Sequence, residues 1–533
     1  MLRFSRDHVS RHEGVPFDVD CWYPLCSEIT FPTVFLPISR ATAYSVCRYF
    51  ATRFFQRDFP VDSGLFFSRE DVDVLEAWEH QIDTLLKENA HLFPHGAFVR
   101  MAGHSTKDAD PALSVIAQSK EIFASEVHNL SQMYGYPEDD PKTQFMATGR
   151  VPWMRVTNAS EAMSLLLSSE YVFVFFRDWL LHGHPEILCF RAWCPELRMD
   201  REFRLFVCNG RLTAITQYDH LTLYPHLLLA RKALFNNIVG FWKEQVHPRF
   251  KNIPNYSVDL GIMCEPKDLS QEYKRENCIL LEFSPFLRST GEGVFSWDSP
   301  ADLAILCGDA HKDDDGDFPP EMRLREVSLE GVEDMLEVGW TNRWSNAEDY
   351  RRMYNEAVQR KGWIGRLWDK TFGHKTVETS LVFACDGLQR GHFWHRKYLE
   401  TCSSFHGCAT AEGFHISVDP VSGSPELARN EAGKEGGCKS VKGEVFAVEN
   451  ESIADLDMFY DSIKGRHTKE TITVVASGRP LSVLAYILVD EPQGSTEIEE
   501  FTLDMEKNNY NPILHMAAVS ESYLQAPILT FKR

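Results

Sequence analysis

The chain has 533 residues, 44% hydrophobic and 12% aromatic, which is more than one ordinary core holds, so two or three domains are expected. Its formal charge of −22 argues against nucleic-acid binding over a broad surface, because holding phosphates needs a basic field; an acidic surface suits a basic protein partner. No uninterrupted apolar run reaches the roughly 18 residues that span a bilayer, so no membrane partner is expected.

In chain order, MLRFSRDHVSRH carries three arginines and two serines. It reads as a loosely ordered, solvated start or as a short mitochondrial presequence, with Asp7 and Glu13 weighing against the second. FLPISRATAYSVCRYFATRFF, within residues 15–60, has aromatic and aliphatic residues at helical spacing and predicts one buried helix. Residues 70–92 predict an amphipathic helix, with acids early and Lys87 late to suit the helix dipole. Strands are predicted at 97–101, 186–190, 202–207, 211–218, 256–262 and 278–283, with a helix over 229–247. This is α+β patterning with a mainly antiparallel sheet. The acidic run HKDDDGDFPP (311–320) lacks the ligand periodicity and closing glutamate of a calcium loop and reads as a solvated loop. Residues 331–378 read as a helical connector. From Thr379 short strands, many glycines and turn signals such as DPVSGSP and EAGKEGG predict a second, β-rich domain. The domains are thus expected at 1–330 and 379–533. Thirteen scattered cysteines without a paired CxxC read as reduced thiols of a cytoplasmic protein, and Cys402, His406 and Cys408 do not make a zinc knuckle.

The run ILLEFSPF (279–286) sets Glu282 and Ser284 two positions apart, hence on one side of a strand. Two hard oxygens at the mouth of a sheet suit magnesium, which usually arrives with phosphates. An EFR strand and a VDLGI strand precede it, in the order of an ATP-grasp site. Arg100 is the candidate phosphate cation, EILCFRAW (186–193) the candidate adenine hinge, and Asp259, Glu282 and Ser284 the candidate magnesium ligands. Arg204 and Asp219 sit where they could line the same cleft.

Over residues 20–300 the ordered set DCWYPL, FVRMAGHSTKDA, FRAW, EFRLFV, TQYDH, LLEFSPF and FSWD resembles the cell division cycle protein 123 family. The resemblance implies an ATP-grasp-like fold that binds ATP and magnesium. It also implies an assembly chaperone that binds the gamma subunit of translation initiation factor 2. Arg191, Glu202, Arg204, Asp219 and Asp259 match the family's pattern. Five positions depart from it: Arg100 stands for lysine, Glu282 for aspartate, Ser284 for asparagine, Tyr218 for arginine and Ala192 for the hinge lysine. Arginine keeps the charge but not the compact ammonium geometry. The departures weigh more against phosphoryl transfer than against binding. An ATP-grasp ligase or kinase on an unknown acceptor, and a structural component of a ribonucleoprotein, mitochondrial if the start is a presequence, are the rival readings.

Residues 379–490 resemble the gamma-glutamylcyclotransferase family, a small β-barrel, on LVFACDGLQRGH, GCATAEGF, VKGEVFAV, IADLDMFYD and TITVVASGRPLSVLAYI. The family's loop after its first strand offers backbone N–H groups to a substrate carboxylate, and a later glutamate moves a proton. Here the loop is Cys385-Asp386-Gly387-Leu388, and Asp386 is expected to put like charge beside the anion. Tyr460 holds the glutamate's position and is a poor base at neutral pH. Asp461 is shorter and, in an extended segment, would point away. His392 and His395 read as packed or surface histidines. The domain is therefore expected to be an inactive barrel.

Overall fold

The computed structural model describes residues 17–60, 63–109, 112–148, 150–288, 290–309, 318–329, 378–420, 423–430, 440–460, 467–493, 495–498 and 500–502. The basic start, most of the acidic run 311–320, the connector 331–378 apart from Glu378, the EAGKEGG turn and Asp461 lie outside these residues.

The N-terminal lobe opens with α1 (Val19–Cys26), β1 (Thr33–Pro37) and α2 (Arg40–Phe50), the last prolonged by a π-helical turn to Phe55. The single helix expected over FLPISRATAYSVCRYFATRFF is thus a strand followed by a helix. Thr33–Pro37 pairs antiparallel with β4, and the Ser39 side chain accepts the Thr42 N–H to start the helix three residues later. Next come α3 (Arg69–Glu88), β2 (Ala97–Met101), α4 (Leu113–Tyr134), α5 (Pro141–Thr148), β3 (Arg155–Val156), α6 (Ala159–Ser168), α7 (Glu170–His182) and β4 (Ile187–Ala192). The Ser68–Asp71 capping box starts α3, whose first turn carries Glu70 and Asp71 and whose last turn carries Lys87.

β5 (Glu202–Cys208), β6 (Arg211–Gln217), α8 (Pro225–Phe241), β7 (Tyr256–Ile262), β8 (Cys278–Ser284), α9 (Pro300–Leu306) and β9 (Glu321–Arg323) complete this lobe. Its strands form two sheets rather than one. A four-stranded sheet runs β1-β4-β2-β3, and a five-stranded sheet runs β8-β7-β5-β6-β9. All pairings are antiparallel except β6 with β9. The first sheet packs Val99, Leu188 and Phe190 against α2, α3, α6 and α7. The second buries Phe203, Leu205, Val258, Leu260 and Phe283 against α1 and α8.

The C-terminal lobe contains β10 (Thr379–Ala384), α10 (Phe393–Tyr398), β11 (Ser403–Glu412), β12 (Phe414–Val418), β13 (Pro425–Arg429), β14 (Ser440–Glu449), α11 (Ile453–Phe459), β15 (His467–Ala476), β16 (Arg479–Leu488) and β17 (Thr496–Ile498). Strands β10-β14-β11-β15-β16 close into a barrel, flanked by the small sheet β13-β12-β17. Alternate residues such as Phe383, Val445, Val474 and Val483 fill it. The IADLDMF run is a short helix rather than an extended segment, because Ile453, Leu456 and Phe459 recur at helical spacing. Among the described residues no single helix is long and apolar enough to cross a membrane.

Candidate functional site

The five-stranded sheet carries a row of cross-strand neighbours. Glu282 on β8 lies opposite Asp259 on β7, Asp259 opposite Arg204 on β5, and Arg204 opposite Thr216 on β6. Directly opposed residues project from the same face, so the row runs across the sheet on the side away from Phe203, Leu205 and Val258. The guanidinium of Arg204 grips Asp259 with two hydrogen bonds of 2.8 Å and donates a third to the Gly291 carbonyl at 2.9 Å. Glu202, two residues before Arg204, projects from the same face.

A β-bulge makes the row possible. Between β7 and β8 the register steps from Asp259–Glu282 to Leu260–Leu280, so Leu281 is an extra residue. Without it, Leu280 and Glu282 would face the same way. With it, Leu280 enters the apolar core while Glu282 joins the acidic row. This accounts for the three consecutive apolar residues Ile279–Leu281 that open ILLEFSPF, which no regular strand with one polar face would need.

Cations approach the row from the other sheet. The Arg100 guanidinium, on β2, is buried and donates to Glu282 Oε1 at 2.7 Å and to the Met101 carbonyl at 3.0 Å. Arg191, on β4, donates to the Leu281 carbonyl and to Thr30 Oγ1, both at 2.7 Å, and lies over the Trp22 ring. Lys107, exposed in the loop after β2, donates to the Tyr218 hydroxyl at 3.1 Å. Tyr218 lies between two cations, with Lys107 Nζ and Arg204 Cζ each 4.9 Å from its ring centre. The tyrosine that replaces an arginine of the resembled family therefore collects positive charge instead of adding it.

Burial would raise the Glu282 carboxyl, but Arg100, Lys107 and Arg204 outweigh it and hold the pKa at about 2. Glu202 behaves oppositely: burial, aided by Asp259 and Glu282 and opposed by Lys107, pushes it up to about 7. Burial and the like charge of Arg100 lower Arg191 to about 10, which leaves it protonated at neutral pH.

The structure thus brings together Arg100, Arg191, Glu202, Arg204, Asp259 and Glu282. Ser284 follows on the same side of β8, half-buried and opposite Ser257. The Asp219 carboxylate is engaged locally: it accepts from the Tyr224 hydroxyl at 2.6 Å and from the Leu221 N–H at 3.2 Å. Lys107 and the Gly291 carbonyl are contributors the strand pattern did not reveal. Lys107 lies inside the FVRMAGHSTKDA run, but a loop lysine carries no periodic signal. The donor chemistry of Asp259, Glu282 and Ser284, hard oxygens on adjacent strands, fits magnesium. In this structure arginines hold both carboxylates, and among the described residues no group of three His, Cys, Asp or Glu side chains is set to hold a metal.

In the barrel, Asp386 does not project toward an incoming anion. Its carboxylate is buried, accepts the Leu388 N–H at 2.9 Å and takes the Tyr460 hydroxyl in a very short hydrogen bond. Burial raises the Asp386 pKa, against the pull of Tyr460. The loop's N–H is thereby used by the protein's own carboxylate. Tyr460 stacks on Tyr486, and Trp394 closes over Gly387, where an added Cβ would lie 3.0 Å from Trp394 Cδ1. Cys385 is buried beside them. His392 and His395 pack near Phe501 and Phe446, each ring 5.3 Å from its neighbour. Cys402 is buried with its thiol on the Tyr398 carbonyl, while Cys408 is exposed.

Two sheets, antiparallel but for β6 with β9, whose charged residues meet between them, followed by a closed five-stranded barrel, define a two-lobed α+β protein. Residues 137–332 match the family model described as D123, and residues 382–504 match that of gamma-glutamyl cyclotransferase, AIG2-like. The chain carries a D123-family domain joined to a gamma-glutamyl cyclotransferase-like, AIG2-like domain. Its relatives include proteins named translation initiation factor eIF2 assembly protein. That of Dictyostelium discoideum is 26% identical over 171 residues, 30% of this chain and 41% of that protein. That of Xenopus laevis is 26% identical over 186 residues, 33% and 52% respectively. The chain therefore spans about half the length of these curated relatives. Cdc123 from Schizosaccharomyces pombe, 18% identical, aligns with 60% of this chain and 99% of its own at a TM-score of 0.36. An AIG2-like protein from Mus musculus, 18% identical, aligns with 24% and 89% at 0.21.

Proposed function

We propose that this chain is an assembly factor for translation initiation factor 2 that binds ATP with magnesium between its two N-terminal sheets and contacts the factor's gamma subunit in the cytoplasm. The observation that carries the nucleotide reading is the row Glu282–Asp259–Arg204 met by Arg100 and Lys107 from the facing sheet. Such a cleft is satisfied internally by ion pairs, and it is equally suited to partner exchange. Arg100 and Lys107 would take phosphate oxygens, while Asp259, Glu282 and Ser284 would hold magnesium. ATP would supply a charged bridge between the sheets. The strand Ile187–Ala192, expected as the adenine hinge, is paired along both edges, with β1 and with β2, so its backbone groups are already engaged there. The names of the curated relatives support the assembly role, and the acidic surface suits a basic partner.

The barrel is read as lacking cyclotransferase activity, because Asp386 and Tyr460 use the loop N–H and the space that a substrate carboxylate would need. The test combines thermal unfolding with recovery of partners. ATP with magnesium is expected to raise the melting temperature more than ATP with a chelator, and the tagged chain is expected to recover the factor's gamma subunit from cell extract. No shift with either form of ATP removes the nucleotide reading. Recovery of the alpha or beta subunit without gamma removes the proposed contact.

A further inference from the structure

The two lobes meet through buried charge. Lys397 on α10 reaches Asp20 at 2.9 Å and Asp18 at 3.3 Å, and all three side chains are at most 2% exposed. Burial alone would lower the lysine pKa, but the two carboxylates raise it well above its ordinary value, so the cluster stays ionised. Asp455 on α11 takes both oxygens to the Arg40 guanidinium at 3.0 and 3.1 Å and accepts from the Trp179 indole N–H at 3.3 Å. Gly183, after α7, sits so close to α11 that an added Cβ would lie 3.2 Å from Met458 and 3.3 Å from the Ala454 carbonyl. Between these points the apolar core runs on without a break from Trp22 and Cys21 to Trp394, Tyr398, Leu456 and Phe459.

The elements that make this contact are the ones that flank the degenerate barrel site. α10 follows the Cys385–Leu388 loop and is tied to it by the His395 N–H on the Gly387 carbonyl at 3.1 Å. α11 ends at Tyr460. We propose that the flank of the former substrate site has become an intramolecular docking surface. Through it the barrel serves as a fixed clamp on α1, α2 and α7 of the N-terminal lobe. The clamp also reaches the strand that bears Arg100, because Val19, between Asp18 and Asp20, donates its N–H to the Ala102 carbonyl at 3.0 Å. An ion cluster at the centre sets the register, since a lysine shifted by one helical position would leave three buried charges without partners.

The inference does not depend on nucleotide binding, and neither does its test. A protease site is inserted within residues 330–377 of the full chain, which is then cut and passed over a size-exclusion column. The two fragments are expected to elute together at the volume of the intact chain. Cut wild-type fragments that elute separately overturn the proposal, with no substitution involved. In cut Lys397→Ala and cut Arg40→Met the fragments are expected to separate, or to reassociate at least tenfold more weakly. Arg40→Met is included because its 10% exposed side chain leaves the innermost cluster intact. If both variants stay joined as tightly as wild type, the ion cluster does not hold the lobes and its assigned role is lost.

Discussion

Arg100 shows how tightly the cleft residues depend on one another. Its guanidinium is buried and Glu282 is its carboxylate partner. Glu282→Ala would strand that charge, and a loss of about 3 kcal/mol is expected from denaturant unfolding. The double variant Arg100→Met, Glu282→Leu should recover most of it, because removing both charges removes the desolvation cost as well. Glu202 gives a prediction in pH. Its pKa is about 7 in the folded chain, against an ordinary value of about 4.3 when unfolded. Between those values the folded state holds the extra proton, so its contribution is fully present below the unfolded pKa and is lost as pH rises through 7. Wild type should therefore lose more stability between pH 5 and pH 8 than Glu202→Gln, as measured by melting curves at both values. Most of this cleft was legible because Glu202, Arg204, Asp259 and Glu282 alternate with apolar neighbours, and alternation assigns a face. The carboxylate of Asp219 was not, because its partner Tyr224 lies beyond the strand in a turn. Nor was the inward rotation of Asp386, since only the tertiary fold brings Tyr460 to it.

Strand positions followed the sequence closely where β-branched and aromatic residues alternate with polar ones, as in AFVRM and YSVDLGI. The helix start at Arg40 did not, because the apolar spacing of FLPIS also fits a helix, and only pairing with β4 makes it a strand. The two-sheet division was equally hidden, since nothing local says which strands pair. The β8 bulge is a device that belongs to this scale. Deleting Leu281 would make Leu280 and Glu282 neighbours in a regular strand, which keeps them on opposite faces and in their present pairings, at the loss of the carbonyl that Arg191 holds. The deletion variant is therefore expected to keep cooperative unfolding at lower stability, and Leu281→Val to stay close to wild type, by denaturant unfolding. In the barrel, Gly443 has no room for a side chain. A Cβ there would lie 2.5 Å from the Ala384 carbonyl and 2.6 Å from the Phe383 ring. Gly443→Ala should cost about 2 kcal/mol or more. Gly407→Ala, which meets nothing within 4 Å, should stay within about 0.5 kcal/mol of wild type by the same denaturant measurement.

At the scale of the whole molecule, the shared core and the buried ion cluster join the charged row between the two N-terminal sheets to a barrel whose Cys385–Leu388 loop is filled by its own side chains. Calorimetry of the full chain is expected to show one main endotherm, with Lys397→Ala splitting it into two as the lobes lose their common core. Lys397 and Asp18 also lie 379 positions apart in the chain. On a ribosome that adds roughly 5–20 residues per second, the wait between them is about 20–75 s. Throughout that interval α1 has been made, yet the lysine that neutralises Asp18 and Asp20 does not exist. α1 therefore waits for the barrel before its two buried carboxylates are neutralised. A protein read as assisting another's assembly is, by this account, slow to complete its own, and ribosome-held chains ending before Lys397 should be cut by protease near Asp18–Asp20 where released full-length chains resist.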